Sequence, residues 1–330
     1  MDFDGRVIII TGAGRGIGRE HALLLASLGA RVVVNDLGGS TDGTHLDEAP
    51  ADQVVDEIRQ AGGAAVADRS DVSDWAQARQ LIATAVGEFG RVDGLVNNAG
   101  ILRNRMLVNA TAEDWDMVLE ANLRGTFAPT RWAATHWRDR AKAGETFDAS
   151  VVVTASGAGI FGSPGGTNYA ASKGGAIAFA LTAARELAPY GVRVNAVCPA
   201  ARSRLTLLSP GASDRQKRPE GDTFDRMDPA NVAPLVAYLL SPDCSCSAGV
   251  FGVVGGSITL YGGWEIAASL HREDRWPLDE LGGALEGLIA GRDPSLCSVN
   301  PADPQLQGQL AANRHLREVL GANTNPSGDT

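Results

Sequence analysis

Cysteine is scarce in this chain: four in 330 residues, at 198, 244, 246 and 297, with no C-x-x-C pair. A chain this long can bury enough apolar surface without cross-links, so a disulfide scaffold is excluded. The expectation is a reducing compartment with free, buried thiols. Basic charge is also in short supply. Lys and Arg total 29 against 39 Asp and Glu, a formal net charge of −10. That removes the general electrostatic footprint for nucleic acid or an anionic membrane surface. No apolar run approaches the ~20 residues that span a bilayer. The opening "MDFDGRVIII" carries acids where a secretory leader carries basic residues, so a cytoplasmic location is expected. The histidines at 21, 45, 136, 271 and 315 are scattered, which predicts solvated or capping roles and no metal site. What is present is an ordinary globular mixture, 44% hydrophobic and 21% charged.

That mixture is ordered along the chain. "RVIII" (6–10), "RVVVND" (31–36), "AAVADRSD" (64–71), "VDGLVNNAG" (92–100), "ASVVVTAS" (149–156), "VRVNAVCP" (192–199) and "GVFGVVGG" (249–256) are short, mostly β-branched apolar runs. Continuous apolar runs of this kind suit strands buried on both faces. Between them lie segments of helical period: 19–30, 48–63, 73–90 with Ser73 as a possible cap, 111–137 with Thr111 and Asp114 as a capping pair, 167–191 and 232–242. Strict alternation predicts an α/β fold, a Rossmann-type doubly wound parallel sheet in a single domain over 1–262. Beyond it, a short helical C-terminal extension is expected over 263–322, with helices at 276–291 and 304–321, and a disordered tail over 323–330.

"TGAGRGIG" (11–18) falls between the first strand and the first helix. Glycines there let the backbone turn tightly and approach a pyrophosphate, with amides at a helix N-terminus where the dipole favours an anion. The spacing is G-x-x-x-G-x-G through Gly12, Gly16 and Gly18; the third glycine of G-x-G-x-x-G would fall on Ile17. Asp36 ends the second strand, 18 residues after Gly18, where an acid accepts from ribose hydroxyls and repels a 2′-phosphate. This predicts NAD rather than NADP, against Arg15, which can reach such a phosphate from the glycine turn. Asp71 and Val72 end the third strand, beside the expected adenine position; the alternative for Asp71 is a cap on the next helix.

In "GGTNYAASKGG" (165–175), Tyr169 and Lys173 share a helix face at i and i+4. Ser156 lies thirteen residues upstream of Tyr169, and Asn122 further upstream. Each residue has a plain structural alternative: a turn cap for Ser156, a packing hydrogen bond for Asn122, turn stabilisation for Asn97 and Asn98.

Taken together, "TGAGRGIG", Asp36, "NNAG" (97–100), Asn122, Ser156 and "YAASK" (169–173) resemble the short-chain dehydrogenase/reductase family over roughly residues 5–260. "VVVNDLGG" (32–39), "NNAGILRNRML" (97–107), "EDWD" (113–116), "LRGTF" (123–127), "ARSRLT" (201–206) and "VAPLVAYL" (232–239) resemble one branch more closely. That branch comprises the (3R)-hydroxyacyl-CoA dehydrogenase domain of peroxisomal multifunctional enzyme type 2, the 17β-hydroxysteroid dehydrogenase of the same kind, and bacterial single-domain relatives. The chain departs from the family in Pro199-Ala200, where Pro-Gly is usual, in a small insertion at 144–148 and in a long loop at 37–50 that the branch shares.

The resemblance implies an enzyme that interconverts a secondary alcohol and a ketone with NAD. Tyr169 is the implied acid/base, its pKa of ~10 brought down by the Lys173 ammonium and the cofactor's positive ring. Ser156 is implied to fix the substrate oxygen. Lys173 is implied to bind the nicotinamide ribose, and Asn122 to hold a proton-relay water. Cofactor contacts are implied for Gly12, Arg15, Gly16, Ile17, Gly18, Asp36, Leu37, Asp71, Val72, Asn98, Ala99, Gly100, Tyr169, Lys173, Pro199 and Ala201. The substrate segment is implied at 202–228, where Leu205, Leu207 and Leu208 mix with Arg202, Arg204, Arg215, Lys217 and Arg218. Leucines suit an apolar acyl or steroid body, and the basic group suits a CoA phosphate. The alternatives are a 3-oxoacyl carrier-protein reductase, a generic alcohol dehydrogenase, or a non-catalytic dinucleotide-sensing scaffold. A homodimer or homotetramer is implied, through the helices at 111–137 and 167–191.

Overall fold

A computed structural model describes residues 1–43, 50–207, 218–219, 223–263 and 266–290. In chain order the main elements are β1 (Val7–Thr11), α1 (Gly16–Ser27), β2 (Arg31–Asn35), α2 (Pro50–Gln60), β3 (Ala64–Asp68), α3 (Trp75–Phe89) and β4 (Gly94–Asn97). They continue as α4 (Ala112–Leu119), α5 (Gly125–Lys142), β5 (Ala149–Thr154), α6 (Ala158–Phe161), α7 (Thr167–Leu187) and β6 (Val192–Ala200). The last are α8 (Arg204–Leu207), α9 (Ala233–Leu240), β7 (Val250–Val254), β8 (Ser257–Leu260) and α10 (Leu278–Ile289).

Among the described residues the strands form one sheet in the order β3-β2-β1-β4-β5-β6-β7-β8. β1 to β7 pair in parallel and β8 joins antiparallel to β7. Strand side chains alternate between two cores, as a period of two demands. Ile8, Ile10, Val32, Val34 and Val152 face one core with Ala22, Leu25, Ile58 and Leu239 of α1, α2 and α9. Val7, Ile9, Val33, Val151 and Val153 face the other with Leu81, Ala133, Trp137 and Ala180 of α3, α5 and α7. Each fully buried Ile or Leu contributes ~1.5–3 kcal/mol relative to exposure. The strand order reverses direction between β1 and β4, which opens a crevice at the carboxyl ends of the strands.

The structure corrects several sequence expectations. α1 begins at Gly16, inside the glycine turn, and not at residue 19. The cap of α3 is Asp74, whose carboxylate accepts from the Ala76 and Gln77 amides. Ser73 instead bonds Asp71 through both its amide and its hydroxyl. The long helix expected over 111–137 starts as predicted with a Thr111–Asp114 capping box, but a π turn at Glu120–Arg124 separates α4 from α5. β8 was not anticipated; a two-residue Gly255-Gly256 turn, with Gly255 at φ +55°, folds it back on β7. His21 is buried rather than solvated. Cys198 and Cys244 are free and buried, and Cys246 is free and half-buried; Cys297 lies outside the described residues.

The chain divides into two compact units, Met1–Tyr261 and Gly262–Thr330. Within the described part of the second, α10 matches the helix expected at 276–291. The helix expected at 304–321 and the tail at 323–330 lie outside the described residues. None of the described helices is long and apolar enough to cross a membrane.

Candidate active site

A cleft of about 380 Å³ opens at the carboxyl ends of β1, β2, β4 and β5. Its lining includes every implied cofactor contact except Gly18. Gly18 lies behind the turn: a Cβ there would stand 2.2 Å from the Gly12 carbonyl oxygen. Gly12 has φ +60°, and a Cβ on it would meet Ala99 Cα at 2.8 Å. Both positions therefore admit only glycine. Gly16, at φ +55°, has only Ser203 Cβ, at 3.9 Å, near the place a Cβ would take. α1 starts there with no side-chain cap and no acid in its first turn. Its first amides have no partner within the helix and face the cleft, as a bound pyrophosphate requires. The residues present thus fit a dinucleotide.

The loop after β4 is tied to this turn. The Thr11 hydroxyl accepts from the Asn98 and Ala99 amides, both at 3.0 Å. Asn98 Nδ2 donates to the carbonyls of Thr11 and Gly12. Asn98 is therefore a brace for the glycine turn as well as part of the wall. Asn97 points away and donates to Thr130.

Asp36 is fixed at the cleft edge. Its Oδ2 accepts from Gly14 N at 2.9 Å and its Oδ1 from Gly38 N at 2.8 Å. Gly14 is required beside it, because a Cβ there would lie 2.9 Å from Asp36 Oδ2 and 2.6 Å from Pro50 Cβ. Asp71 lines the cleft and accepts from the Ser73 amide and hydroxyl; the cap of α3 is Asp74, so the capping alternative for Asp71 does not hold.

At the inner end of the cleft the structure brings Ser156, Tyr169, Lys173 and Asn122 together. The Tyr169 phenol faces the Ser156 hydroxyl, which favours the phenolate. Ser156 Oγ also accepts from Ala158 N at 3.2 Å, which holds it at the end of β5. Lys173 is buried, with Nζ donating to the Thr154 carbonyl at 2.7 Å and standing 5.9 Å from the Tyr169 ring centroid. Burial pushes the Lys173 pKa down to about 8. Burial likewise raises the Tyr169 phenol, and the neighbouring Ser156 offsets it only in part. The lowering expected from Lys173 and the cofactor's positive ring together is not reached without that ring: desolvation wins. Cys198 of β6 faces the same pair, its thiol pushed up to about 11 by burial against the opposing effect of Lys173.

Asn122 sits in the π turn, and its side chain is fully engaged. Oδ1 accepts from Ile101 N at 2.8 Å, while Nδ2 donates to the Ile101 carbonyl and to Ser172 Oγ. Such turns recur at functional sites. Here the turn aims an amide at the loop after Gly100. α6, which follows Ser156, lies directly against the α7 backbone: a Cβ on Gly159 would meet Gly174 N at 2.5 Å.

The segment after β6 is clamped at its base. Arg202 forms a bidentate pair with Asp225, and its amide donates to the Met227 carbonyl. Arg202 is therefore committed within the fold, which removes it from the expected basic mouth. Leu208, Arg215 and Lys217 lie outside the described residues. Sequence reasoning missed Thr11, Gly14, Asn168 and Ser172. Of these only Gly14, an extra glycine within a glycine turn, left a mark in the sequence.

This geometry agrees with comparisons against known proteins. Residues 6–206 match the family model described as short chain dehydrogenase. The hydroxyacyl-CoA dehydrogenase ChsB1 of Mycobacterium tuberculosis is 43% identical over 307 residues, covering 89% of this chain and 91% of that protein. The peroxisomal multifunctional enzyme type 2 of Drosophila melanogaster is 43% identical over 275 residues, 82% of this chain but 41% of that protein. The crystal structure of a short chain dehydrogenase from Mycobacterium avium superposes with a TM-score of 0.79 at 45% identity, covering 89% of this chain and 98% of that one. The chain belongs to the short-chain dehydrogenase family of oxidoreductases.

Proposed function

We propose that the enzyme interconverts a secondary alcohol and a ketone on a bulky apolar substrate, a 3-hydroxyacyl-CoA or a 17β-hydroxysteroid, with NAD as the cofactor. The observation that carries this reading is the Tyr169 ring 5.9 Å from the buried Lys173 ammonium, which is anchored on the Thr154 carbonyl at the inner end of a dinucleotide-shaped cleft. The name of one relative, a hydroxyacyl-CoA dehydrogenase, favours the acyl-CoA.

The bound nicotinamide supplies the hydride acceptor or donor. The protein's own residues supply position and the proton. Gly12, Gly16 and the first turn of α1 hold the pyrophosphate. Asp36, already bonded to the Gly14 and Gly38 amides, turns its charge towards the ribose and disfavours a 2′-phosphate. Ser156 donates to the substrate oxygen and fixes its distance from Tyr169. Tyr169 takes the hydroxyl proton during oxidation and returns it during reduction. Lys173 keeps positive charge beside the phenol, which favours the phenolate once the substrate is in place.

The proposal includes a homo-oligomer formed through α5 and α7. Trp75, Phe127, Trp132 and Phe179 make an aromatic cluster there, with Trp75 40% and Phe127 43% exposed. A cytoplasmic location is the accompanying expectation, and cell fractionation tests it against the peroxisome.

A panel of 3-hydroxyacyl-CoAs and hydroxysteroids, each with NAD⁺ and NADP⁺ and followed by nicotinamide absorbance, tests the whole reading. Turnover of an acyl-CoA with NAD⁺ is expected. Cofactor binding without turnover of any secondary alcohol would instead identify a sensor.

A further inference from the structure

The residue before Tyr169 is buried and makes contacts that its position in a helix does not require. Asn168 is 4% exposed. Its Nδ2 donates to the Asp114 carbonyl at 2.8 Å and to the Arg103 carbonyl at 3.0 Å. Its Oδ1 accepts from the Tyr169 amide at 2.8 Å. Both amide hydrogens and the carbonyl oxygen are thus used, and every bond ends on backbone.

The two acceptors are themselves joined. Arg103 Nε donates to Asp114 Oδ1 at 2.8 Å, and the two side chains are 16% and 3% exposed. Asp114 is fixed further by its capping box with Thr111. Burial opposes its charge, yet the Thr111 bonds and Arg103 hold the carboxyl below the ordinary range. Asn168, Asp114 and Arg103 therefore close a three-membered ring. It laces the start of α7 to α4 and to the loop after β4. An isolated parallel bridge between Arg105 and Gly166, each two residues from Arg103 and Asn168, extends the lacing. On the other side of Tyr169, the Ser172 hydroxyl donates to the Tyr169 carbonyl at 2.8 Å and accepts from Asn122.

We infer that Asn168 is a positioning residue: through its ring with Arg103 and Asp114 it sets the distance of the Tyr169 hydroxyl from Ser156 and from the substrate oxygen. The inference rests on the reading of Tyr169 as the acid/base. The amide of Tyr169 lies in the first turn of α7, where no intrahelical acceptor exists. Asn168 supplies that acceptor and ties it to two other elements. A phenol placed by rigid lacing rather than by helix ends alone meets the narrow distance that proton transfer demands. The titratable and charged groups facing Tyr169 are Lys173 from its own helix, 5.9 Å from the ring centroid, and Cys198 from β6.

The test is Asn168→Ala in the full chain, with Asp114→Asn as a second variant that keeps its side-chain volume. For Asn168→Ala, kcat is expected to fall roughly 10- to 100-fold, the loss typical of a slight misplacement. KM for NAD⁺ stays within about two-fold, because the glycine turn is untouched. The midpoint of the kcat–pH profile moves, because the placement of the phenol relative to Ser156 and Lys173 is altered. Asp114→Asn gives the same pattern at smaller amplitude. An unchanged kcat and pH midpoint in both variants overturns the inference. So does a kcat loss that tracks lower thermal stability with the pH midpoint fixed, which marks a merely structural role. Tyr169→Phe at full turnover defeats the acid/base reading itself. An inert Tyr169→Phe beside an undisturbed Asn168→Ala defeats only this inference.

Discussion

The ammonium of Lys173 is anchored to the backbone of β5 through the Thr154 carbonyl at 2.7 Å, two residues before Ser156. One strand end therefore fixes both the Lys173 ammonium and the Ser156 hydroxyl. This arrangement makes the proton-transfer step sensitive to the phenol itself. Tyr169→Phe keeps the ring and its packing but removes the transferable proton. Turnover is expected to fall by about 10²–10⁴-fold with KM for NAD⁺ nearly unchanged, as steady-state kinetics will read.

On the proposed reading, Asp36 selects the cofactor. Replacing it with Ala removes the repulsion of a 2′-phosphate and frees the Gly14 and Gly38 amides to meet that phosphate. The ratio of kcat/KM for NAD⁺ over NADP⁺ is expected to drop by about 10- to 100-fold, or ~1.4–3 kcal/mol of discrimination. A wild-type enzyme that already prefers NADP⁺ would reverse the argument.

His21 makes the stability depend on pH. It is fully enclosed, its Nδ1 has no hydrogen-bond partner, and burial pushes its pKa down to about 3. The folded value lies below the ordinary 6.5, so between these values the unfolded chain binds more protons and stability rises with pH. The contribution is complete above pH ~6.5 and is lost as the pH falls, by about 2 kcal/mol at pH 5. His21→Phe removes the titration, and urea midpoints between pH 5 and 7 are expected to flatten accordingly.

The aromatic cluster on α3, α5 and α7 predicts the subunit contact. Phe127 stacks at 5.8 Å from Trp75 and meets Phe179 edge-on at 6.3 Å, yet it remains 43% exposed. Phe127→Glu places a charge at the centre of that surface. A dimer dissociation constant at least ~30-fold weaker is expected by sedimentation, equivalent to ~2 kcal/mol. An unchanged oligomer would move the contact elsewhere.

Much of this molecule is written in local pattern. Runs such as "VIII" and "VVVN" read as buried strands because both faces of a parallel strand are covered, so no polar residue interrupts them. The glycine turn is legible because Gly12 and Gly18 leave no room for a Cβ. Other features depend on partners distant in sequence. The π turn at Asn122 inserts one residue into a helix whose apolar period continues on either side, so the pattern does not betray it. Asn168 looks like any polar residue at a helix start until Arg103 and Asp114, more than fifty residues away, close on it. His21 reads as a surface residue because its burial depends on which side of α1 meets the sheet. The cap of α3 slipped by one position, since Ser73 and Asp74 both suit the role and only the turn made by Asp71 decides between them.

The contact of Gly159 with Gly174 has a consequence for variation in this fold. Backbone rests on backbone there, so the spacing between the Ser156 loop and the Lys173 turn is independent of any side-chain rotamer. Phe161, only two residues past Gly159, is 75% exposed. A frame this stiff beside a side chain this exposed lets the surface after Ser156 change by substitution while the spacing between the Ser156 loop and the Lys173 turn is kept.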